Sequence, residues 1–325
     1  MKLLTNSIRR KFGACPRAYQ HAYVMLRRPA KDHEALAFGT LVHKALEAWW
    51  GTAKEFRRVA APDTLDMERE AGKCDAYQHA TARALMDAYD RMYEHQELET
   101  VAVEAGFTAP LMNPETSGVS KTWALSGKID AIARETTTGR LVIIEHKTTS
   151  ADLDPTSDYW PKLAIDGQVS GYYLGAMALG HDVQDCVYDV IRKPTMKPRK
   201  ATPAEARKYT KAGAMYAGQY EADETPEEWE VRLTQDIADR PDRYFARKRV
   251  ARTESDMEDY LFDMWAVGRN IADAEKLGRY PRNPDSCSGF GTCEYFPVCS
   301  GMASIEDPML YKTIETANPE LTPVI

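Results

Sequence analysis

The stretch that most constrains the fold is a pair of β-rich runs, Leu125 to Arg134 and Leu141 to Thr148, joined by Glu135-Thr-Thr-Thr-Gly139. Two apolar, β-branched segments around a turn-type linker predict an antiparallel hairpin. In the second strand a period of two puts Leu141, Ile143, Glu145 and Lys147 on one face, so an acid and an amine stand side by side. Asp130, on the partner strand, is expected within metal-bridging distance of Glu145 across so short a hairpin.

That grouping has a definite chemistry. Two carboxylates bind a hard divalent cation through oxygen; Mg²⁺ prefers such sites while keeping waters, and Mn²⁺ also fits. A neighbouring lysine orients an attacking water and stabilises charge developing on a phosphate, so Asp130, Glu145 and Lys147 together fit phosphodiester hydrolysis. Glu145-His-Lys147 alone is a pattern that many surface ion pairs share, and its weight comes from the ordered set around it.

Around the hairpin, strand and helix patterns are interspersed. Ser7 is the expected N-cap of a first helix through about Val24, and Ala35 to Trp50 reads as a second, with Leu36, Gly39, His43, Leu46 and Trp50 on one face. Asp66 to Leu98 predicts one or two further helices. Ala164 to Leu179 has helical spacing, Cys186 to Ile191 and Tyr244 to Val250 read as strands, and Ser255 to about Leu277 as a long helix. The segment Lys193 to Glu230, with Pro194, Pro198, Pro203 and Pro226, reads as an irregular charged insertion near the substrate. The expected organisation is one domain over 1–301, with a helical segment at about 55–100, the insertion at about 193–230 and a cysteine segment at 280–301. A loosely held tail at 302–325 follows.

Composition narrows the function. A chain of 325 residues, 43% hydrophobic and 28% charged, reads as a soluble globular protein. Its apolar runs, such as Leu141 to Ile144, fall far short of the roughly 20 residues of a membrane span. Met1 to Arg10 has no apolar core of a signal peptide, so a cytoplasmic location without membrane attachment is expected. No Walker-type phosphate loop is present, which argues against an ATP-driven motor. The net charge of −7 argues against nucleic acid as a whole, yet Arg192, Lys193, Lys197, Arg199 and Lys200 form one basic strip and Arg247, Lys248 and Arg249 another. Each strip reads equally as phosphate-binding or as solvated surface.

Six cysteines are too few for a secreted disulfide scaffold, but Cys287, Cys293 and Cys299 crowd together at C-x5-C-x5-C spacing, with Gly289, Gly291 and Pro297 supplying bends. Such crowding points to metal, and three thiolates need a fourth ligand. Cys74 and Cys186 fall outside the pattern and read as buried, reduced thiols.

The order Gly39-Thr-Leu-Val-His43, Gly127-Lys-Ile-Asp130, Glu145-His-Lys147 and Gln168-Val-Ser-Gly-Tyr172 resembles, motif by motif, the RecB-like nucleases of the PD-(D/E)XK superfamily, with Ile129 where the superfamily name has proline. The resemblance implies an α/β, restriction-endonuclease-like core with a mixed sheet flanked by helices, a helical N-terminal segment and a C-terminal cysteine-cluster segment. It implies His43, Asp130 and Glu145 as metal ligands, the His146 main-chain carbonyl as a fourth, Lys147 as the catalytic lysine, and Gln168 with Tyr172 holding DNA. Read on their own, His43 also suits an apolar helix face and Gln168 with Tyr172 a packing surface, the latter two sharing a face at four-residue spacing.

The early Cys15-Pro-Arg-Ala-Tyr19, paired with the late triplet, again resembles the iron–sulfur members of this branch, which space the triplet C-x2-C-x5-C. The resemblance thus supplies Cys15 as fourth ligand and favours a [4Fe–4S] cluster, while four thiolates by themselves suit zinc equally. Joining Cys15 to Cys287 closes a loop of about 270 residues, whose length-dependent constraint is roughly 5 kcal/mol. The implied activity is metal-dependent hydrolysis of DNA, exonucleolytic and preferring single-stranded ends. Its setting would be recombination, repair or replication, in a virus or a cell, beside a separate helicase, annealing protein or replisome component. The rival expectation is a non-catalytic DNA-end-binding subunit stapled by the iron–sulfur or zinc site. A decayed subunit would lack Asp130, Glu145 or Lys147, and all three are present.

Overall fold

The computed structural model of the chain describes residues 1–31, 34–289, 291–318 and 321. It begins with β1 (Lys2–Leu4) and α1 (Asn6–Ala14). Thr5, not Ser7, caps α1, its hydroxyl accepting the Ile8 N–H at 3.2 Å. The helix expected to reach Val24 stops at Cys15, which is extended (φ −160°, ψ 111°) because the ring of Pro16 disfavours helical backbone before it. A short α2 (Pro16–Tyr19) and one wide turn, Gln20–Val24, follow.

After β2 (Arg27–Pro29) come three long helices, α3 (Glu34–Gly51), α4 (Arg57–Glu70) and α5 (Ala76–Tyr93). Asp75 and Gln78 form a capping box that starts α5. The sequence reading missed the next element, β3 (Leu98–Met112), which pairs antiparallel along β4 (Val119–Glu135). The expected hairpin of β4 with β5 (Leu141–Thr149) forms, but it pairs over only four positions, Ala131 to Arg134 against Leu141 to Ile144. Beyond that the edge of β4 forks, and β1 takes it up in parallel at Trp123 to Leu125.

The helix α6 (Gly167–Ala178) crosses over to β6 (Val183–Arg192), parallel to β5. The insertion is less irregular than expected. A capping box of Thr225 with Glu228, and Pro226 in the first turn, start α7 (Pro226–Asp239) inside its predicted range. Antiparallel β7 (Phe245–Arg249) completes a six-stranded mixed sheet, and α8 (Glu254–Leu277) ends at Gly278 with φ 62°. In the cysteine segment, of which Phe290 lies outside the described residues, α9 (Phe296–Cys299) leads to β8 (Tyr311–Thr313). β8 pairs with β2, so the tail expected to be loose is tied down at that point; residues 319–320 and 322–325 lie outside the described residues.

The architecture is a mixed sheet between two helical layers, an α/β restriction-endonuclease-like fold. Ile143, Leu125, Val169, Tyr172 and Met264 belong to the core on one face, with α1, α6 and α8. Val142, Ile144, Val42, Trp49 and Leu85 belong to the core on the other, with α3, α4, α5 and α7. The strict alternation of β5 across these cores sends Glu145 and Lys147 toward α6 and His146 toward α3 and α5. Besides bulges between Thr100 and Ala102 and between Pro110 and Met112, the alternation on β3 and β4 slips on both strands together at one point. Val103 and Ala131 pack on the α3 face, whereas Ala105 and Ile129 pack on the α6 face. Between them lie Glu104, whose φ is 51°, and Asp130. Among the described residues no helix is long and apolar enough to cross a membrane.

Candidate active site

The fork between β4 and β5 is where the predicted residues converge. Past Ile144 the His146 N–H has lost the β4 backbone as a partner, and it donates to Asp130 Oδ2 at 2.8 Å. This bond fixes the Asp130 carboxylate beside the strand that carries Glu145. From the opposite layer, α3 brings His43 Nδ1 to 4.0 Å from Asp130 Oδ2. Gly39 permits the approach: a Cβ there would stand 3.0 Å from Thr148 Oγ1 on β5.

Glu145 is fully buried. Lys147 Nζ pairs with its Oε1, while Oε2 is buried with no hydrogen-bond partner. Burial pushes the Glu145 carboxyl well above the usual range, and Asp130 adds to this while Lys147 opposes it. The lysine is half-buried, which lowers its pKa, yet Glu145 and Asp130 raise it by more, so the ammonium form is retained. Lys147 Nζ also donates to Gln168 Oε1 at 3.1 Å, and Gln168 Nε2 donates to the Tyr172 hydroxyl at 2.7 Å. The four-residue helical spacing thus links Gln168 and Tyr172 in one chain of hydrogen bonds ending at Glu145. Burial lowers the pKa of His43, so the neutral imidazole with a free lone pair prevails near neutrality.

A cavity of about 870 Å³ opens onto this corner, lined by His43, Asp130, Lys44, Lys128, Lys162 and Lys193. A second, of about 230 Å³, lies on the α6 side and is lined by Gln168, Tyr172, Arg10 and again Lys128. Glu104, opposite Asp130, pairs with Lys128; sequence reasoning had no signal for it beyond an acid in a strand.

Of the basic strip, Lys193 lines the larger cavity. The others spread over the insertion: Arg192 pairs with Asp152 at 2.8 Å, Lys200 with Asp223 at 2.8 Å, and Arg199 lies over the Tyr220 ring. Lys197 offers its carbonyl to Arg232. The second strip is only partly a solvated surface: Lys248 and Arg249 are exposed, and Arg247 is not. Arg247 turns inward to Asp189, Arg249 pairs with Glu135 and Asp185, and Lys248 lies over Trp160.

Cys15, Cys287, Cys293 and Cys299 come together across the length of the chain and line one cavity of about 490 Å³. The Asn283 N–H donates to Cys15 Sγ, Asn283 Nδ2 and Ser286 Oγ bond the Ala14 carbonyl at 2.9 and 2.7 Å, and Arg17 N–H bonds Pro281 O at 3.1 Å. Cys186 is buried, as expected, and Cys74 is half-buried. Among the described residues, however, no three His, Cys, Asp or Glu side chains stand in an arrangement that would hold a metal ion as they are placed, and this applies to the thiols and to His43, Asp130 and Glu145 alike. What the structure gives is convergence of both predicted ligand sets, not a formed metal site.

At the fork, Asp130 stands on one strand and Glu145 with Lys147 on the next, and these are residue types that the name of one nuclease superfamily spells out. The sequence profile of the PD-(D/E)XK nuclease superfamily matches residues 4–300, and the chain belongs to that superfamily. A search of curated proteins finds no match to it.

Proposed function

We propose that the protein is a divalent-metal-dependent deoxyribonuclease of the RecB-like kind, acting exonucleolytically and preferring single-stranded ends. The observation that carries this reading is Glu145 Oε2, a buried carboxylate oxygen without a partner beside Asp130. A buried carboxylate oxygen left without a hydrogen bond is costly even when its partner oxygen is ion-paired, and a cation in the fork would remove that cost. The donor set of His43 nitrogen, Asp130 and Glu145 oxygens and the His146 carbonyl fits Mg²⁺ or Mn²⁺, which would supply Lewis-acid polarisation of the scissile phosphate when bound. Lys147 would orient the attacking water and steady charge on the phosphate, while Gln168 and Tyr172 keep that ammonium in place and face the nucleic acid. Lys193, with Arg192, Lys197, Arg199 and Lys200 behind it, would meet phosphates rather than bases.

Four free thiols converging on one cavity fit a [4Fe–4S] cluster as a staple between the chain's two ends, with zinc the alternative occupant. On this reading the enzyme works in recombination, repair or replication, on ends exposed by a separate helicase, annealing protein or replisome component. The test uses end-labelled single- and double-stranded DNA. Shortening of the labelled strand that requires Mg²⁺ or Mn²⁺ and begins at single-stranded ends is expected, with about four irons per chain in anaerobic protein. No cleavage of either substrate with either metal would overturn the nuclease in favour of a non-catalytic end-binding subunit.

A further inference from the structure

Behind the fork, on the face away from Glu145, lies a buried polar group that the mechanism does not use. The register of the sheet sets His146 beside Asp189 and Asp189 beside Arg247, so three neighbouring strands contribute one cross-strand row. Asp189 is 1% exposed, and its two oxygens collect four hydrogen bonds. Arg247 Nε donates to Oδ1 at 2.9 Å, while Oδ2 accepts from Tyr89 OH at 2.5 Å, His146 Nδ1 at 3.1 Å and Arg247 Nη2 at 3.3 Å. The Tyr89 hydroxyl in turn accepts from Trp50 Nε1 at 3.2 Å, and Trp50 is seven residues beyond His43 on α3. The guanidinium of Arg247 is closed off on its other side by the Tyr93 ring, 3.5 Å from the ring centroid, and by Gln96 Oε1 at 2.6 Å.

Two of the predicted metal-binding parts therefore hang from one buried carboxylate. The strand with Asp130's anchor and Glu145 is reached through the His146 imidazole, and the helix with His43 is reached through Trp50 and Tyr89. Because Asp189 faces an arginine and accepts throughout, Nδ1 of His146 is the donor in their hydrogen bond.

We propose that Asp189, with His146 and Tyr89, is a positioning centre that sets the separation of His43 from Asp130 and Glu145 and so tunes the affinity of the fork for a divalent cation. This rests on the metal-site reading above. Partners that orient ligands in this way typically change metal affinity or activity about 10- to 100-fold when removed.

The test is an Mn²⁺ titration followed by electron paramagnetic resonance on wild type, His146→Leu, His146→Asn and Tyr89→Phe, all as the full chain. His146→Leu removes the Nδ1 donor, His146→Asn replaces it with an amide donor, and Tyr89→Phe cuts the link to α3 with least change of volume. Expected are Mn²⁺ affinities weakened about 10-fold or more in His146→Leu and Tyr89→Phe, recovery toward wild type in His146→Asn, and losses in kcat with KM for DNA nearly unchanged. A long-range ¹⁵N spectrum of the metal-free protein should show His146 protonated on Nδ1. If wild type binds Mn²⁺ and folded Tyr89→Phe and His146→Leu bind it equally well, only their melting temperatures falling, the network is structural and the proposal is overturned. Should His146→Leu not fold, Tyr89→Phe decides alone. A wild type that binds no Mn²⁺ overturns the metal-site reading itself, and the positioning role with it.

Discussion

Glu145 and His146 are neighbours on β5 and face opposite layers of the molecule, where their surroundings differ in kind. Toward α6, Glu145 is buried with one oxygen bonded to Lys147 and the other bonded to nothing. Toward α3 and α5, His146 enters a group in which Asp189 is as deeply buried but accepts four hydrogen bonds and faces a guanidinium. The opposite pKa directions record the contrast. Burial drives Glu145 up, whereas Arg247 and His146 overcome burial and hold Asp189 far below the carboxylate range. A buried acid with its bonds supplied is scaffold; one left short of them is a place where the fold gives up stability for chemistry.

The sharpest way to break this comparison is Glu145→Ala. Loss of cleavage on the order of 10³-fold is expected at saturating metal, measured with end-labelled DNA, because the substitution removes a proposed metal ligand. The metal-free variant should melt only slightly below wild type, since losing the Lys147 partner is offset by removing an acid whose other oxygen is buried without a hydrogen bond. A large fall in melting temperature with EDTA present would place Glu145 with the scaffold.

Arg247→Met is the converse. It leaves Asp189 buried without its cation, and urea unfolding should report a loss of about 3–5 kcal/mol, the usual consequence of stripping one partner from a buried pair. A loss below about 1 kcal/mol would erase the distinction between the two faces.

Gly175→Ala tests the cover over Glu145. Phe107 is wedged between α6 and β4: a Cβ on Gly175 would lie 2.5 Å from its ring and one on Gly127 2.9 Å. The substitution must push α6, and with it Gln168 and Tyr172, off the sheet. A cost of about 1–3 kcal/mol is expected, with kcat/KM falling more than stability alone explains. Unchanged kinetics would mean that the hydrogen-bond chain from Gln168 tolerates displacement.

The smallest effect belongs to an ion pair of the insertion that touches neither Glu145 nor Asp189. Glu224 accepts from Arg232 Nε and Nη2, each at 2.6 Å, and from the Arg199 N–H at 2.8 Å. Arg232 foremost holds its pKa below the ordinary value. A depressed carboxyl contributes stability above its unfolded pKa of about 4.3 and loses it as pH falls below that. Glu224→Gln should therefore cost about 1 kcal/mol, steady from pH 8 to 6, with the gap to wild type closing in acid. A gap that persists at low pH would assign the effect to packing.

Much of the active corner was legible from local pattern. The hairpin, the face shared by Glu145 and Lys147, the four-residue step from Gln168 to Tyr172 and the helix carrying His43 follow from periods of 2 and 3.6, which any short window contains. Helix boundaries were less so, because the break at Cys15 and the start of α7 are set by the prolines beside them. The strand β3 escaped notice because its apolar residues are interrupted by Glu99, Glu104 and Gly106, and its partner β4 lies beyond a turn. Asp189 left one overlooked signal, an acid in the otherwise apolar strand from Cys186 to Ile191.

By itself the sequence determined the candidate site residues, their order and the thiols at the chain's two ends, since these are matters of identity and short spacing. The tertiary structure alone decided which groups would be satisfied. The forking of β4 between β1 and β5 frees the His146 N–H for Asp130, and the register of β5, β6 and β7 lines up His146, Asp189 and Arg247. Arg247, Lys248 and Arg249 look alike as a basic run, but the pleat sends Lys248 to the opposite face, over Trp160, and of the two on the shared face Arg247 reaches the buried Asp189 while Arg249, further along β7, stays exposed. Hydrogen bonding between residues 16 to 158 positions apart depends on pairing and register, which no local window of sequence contains.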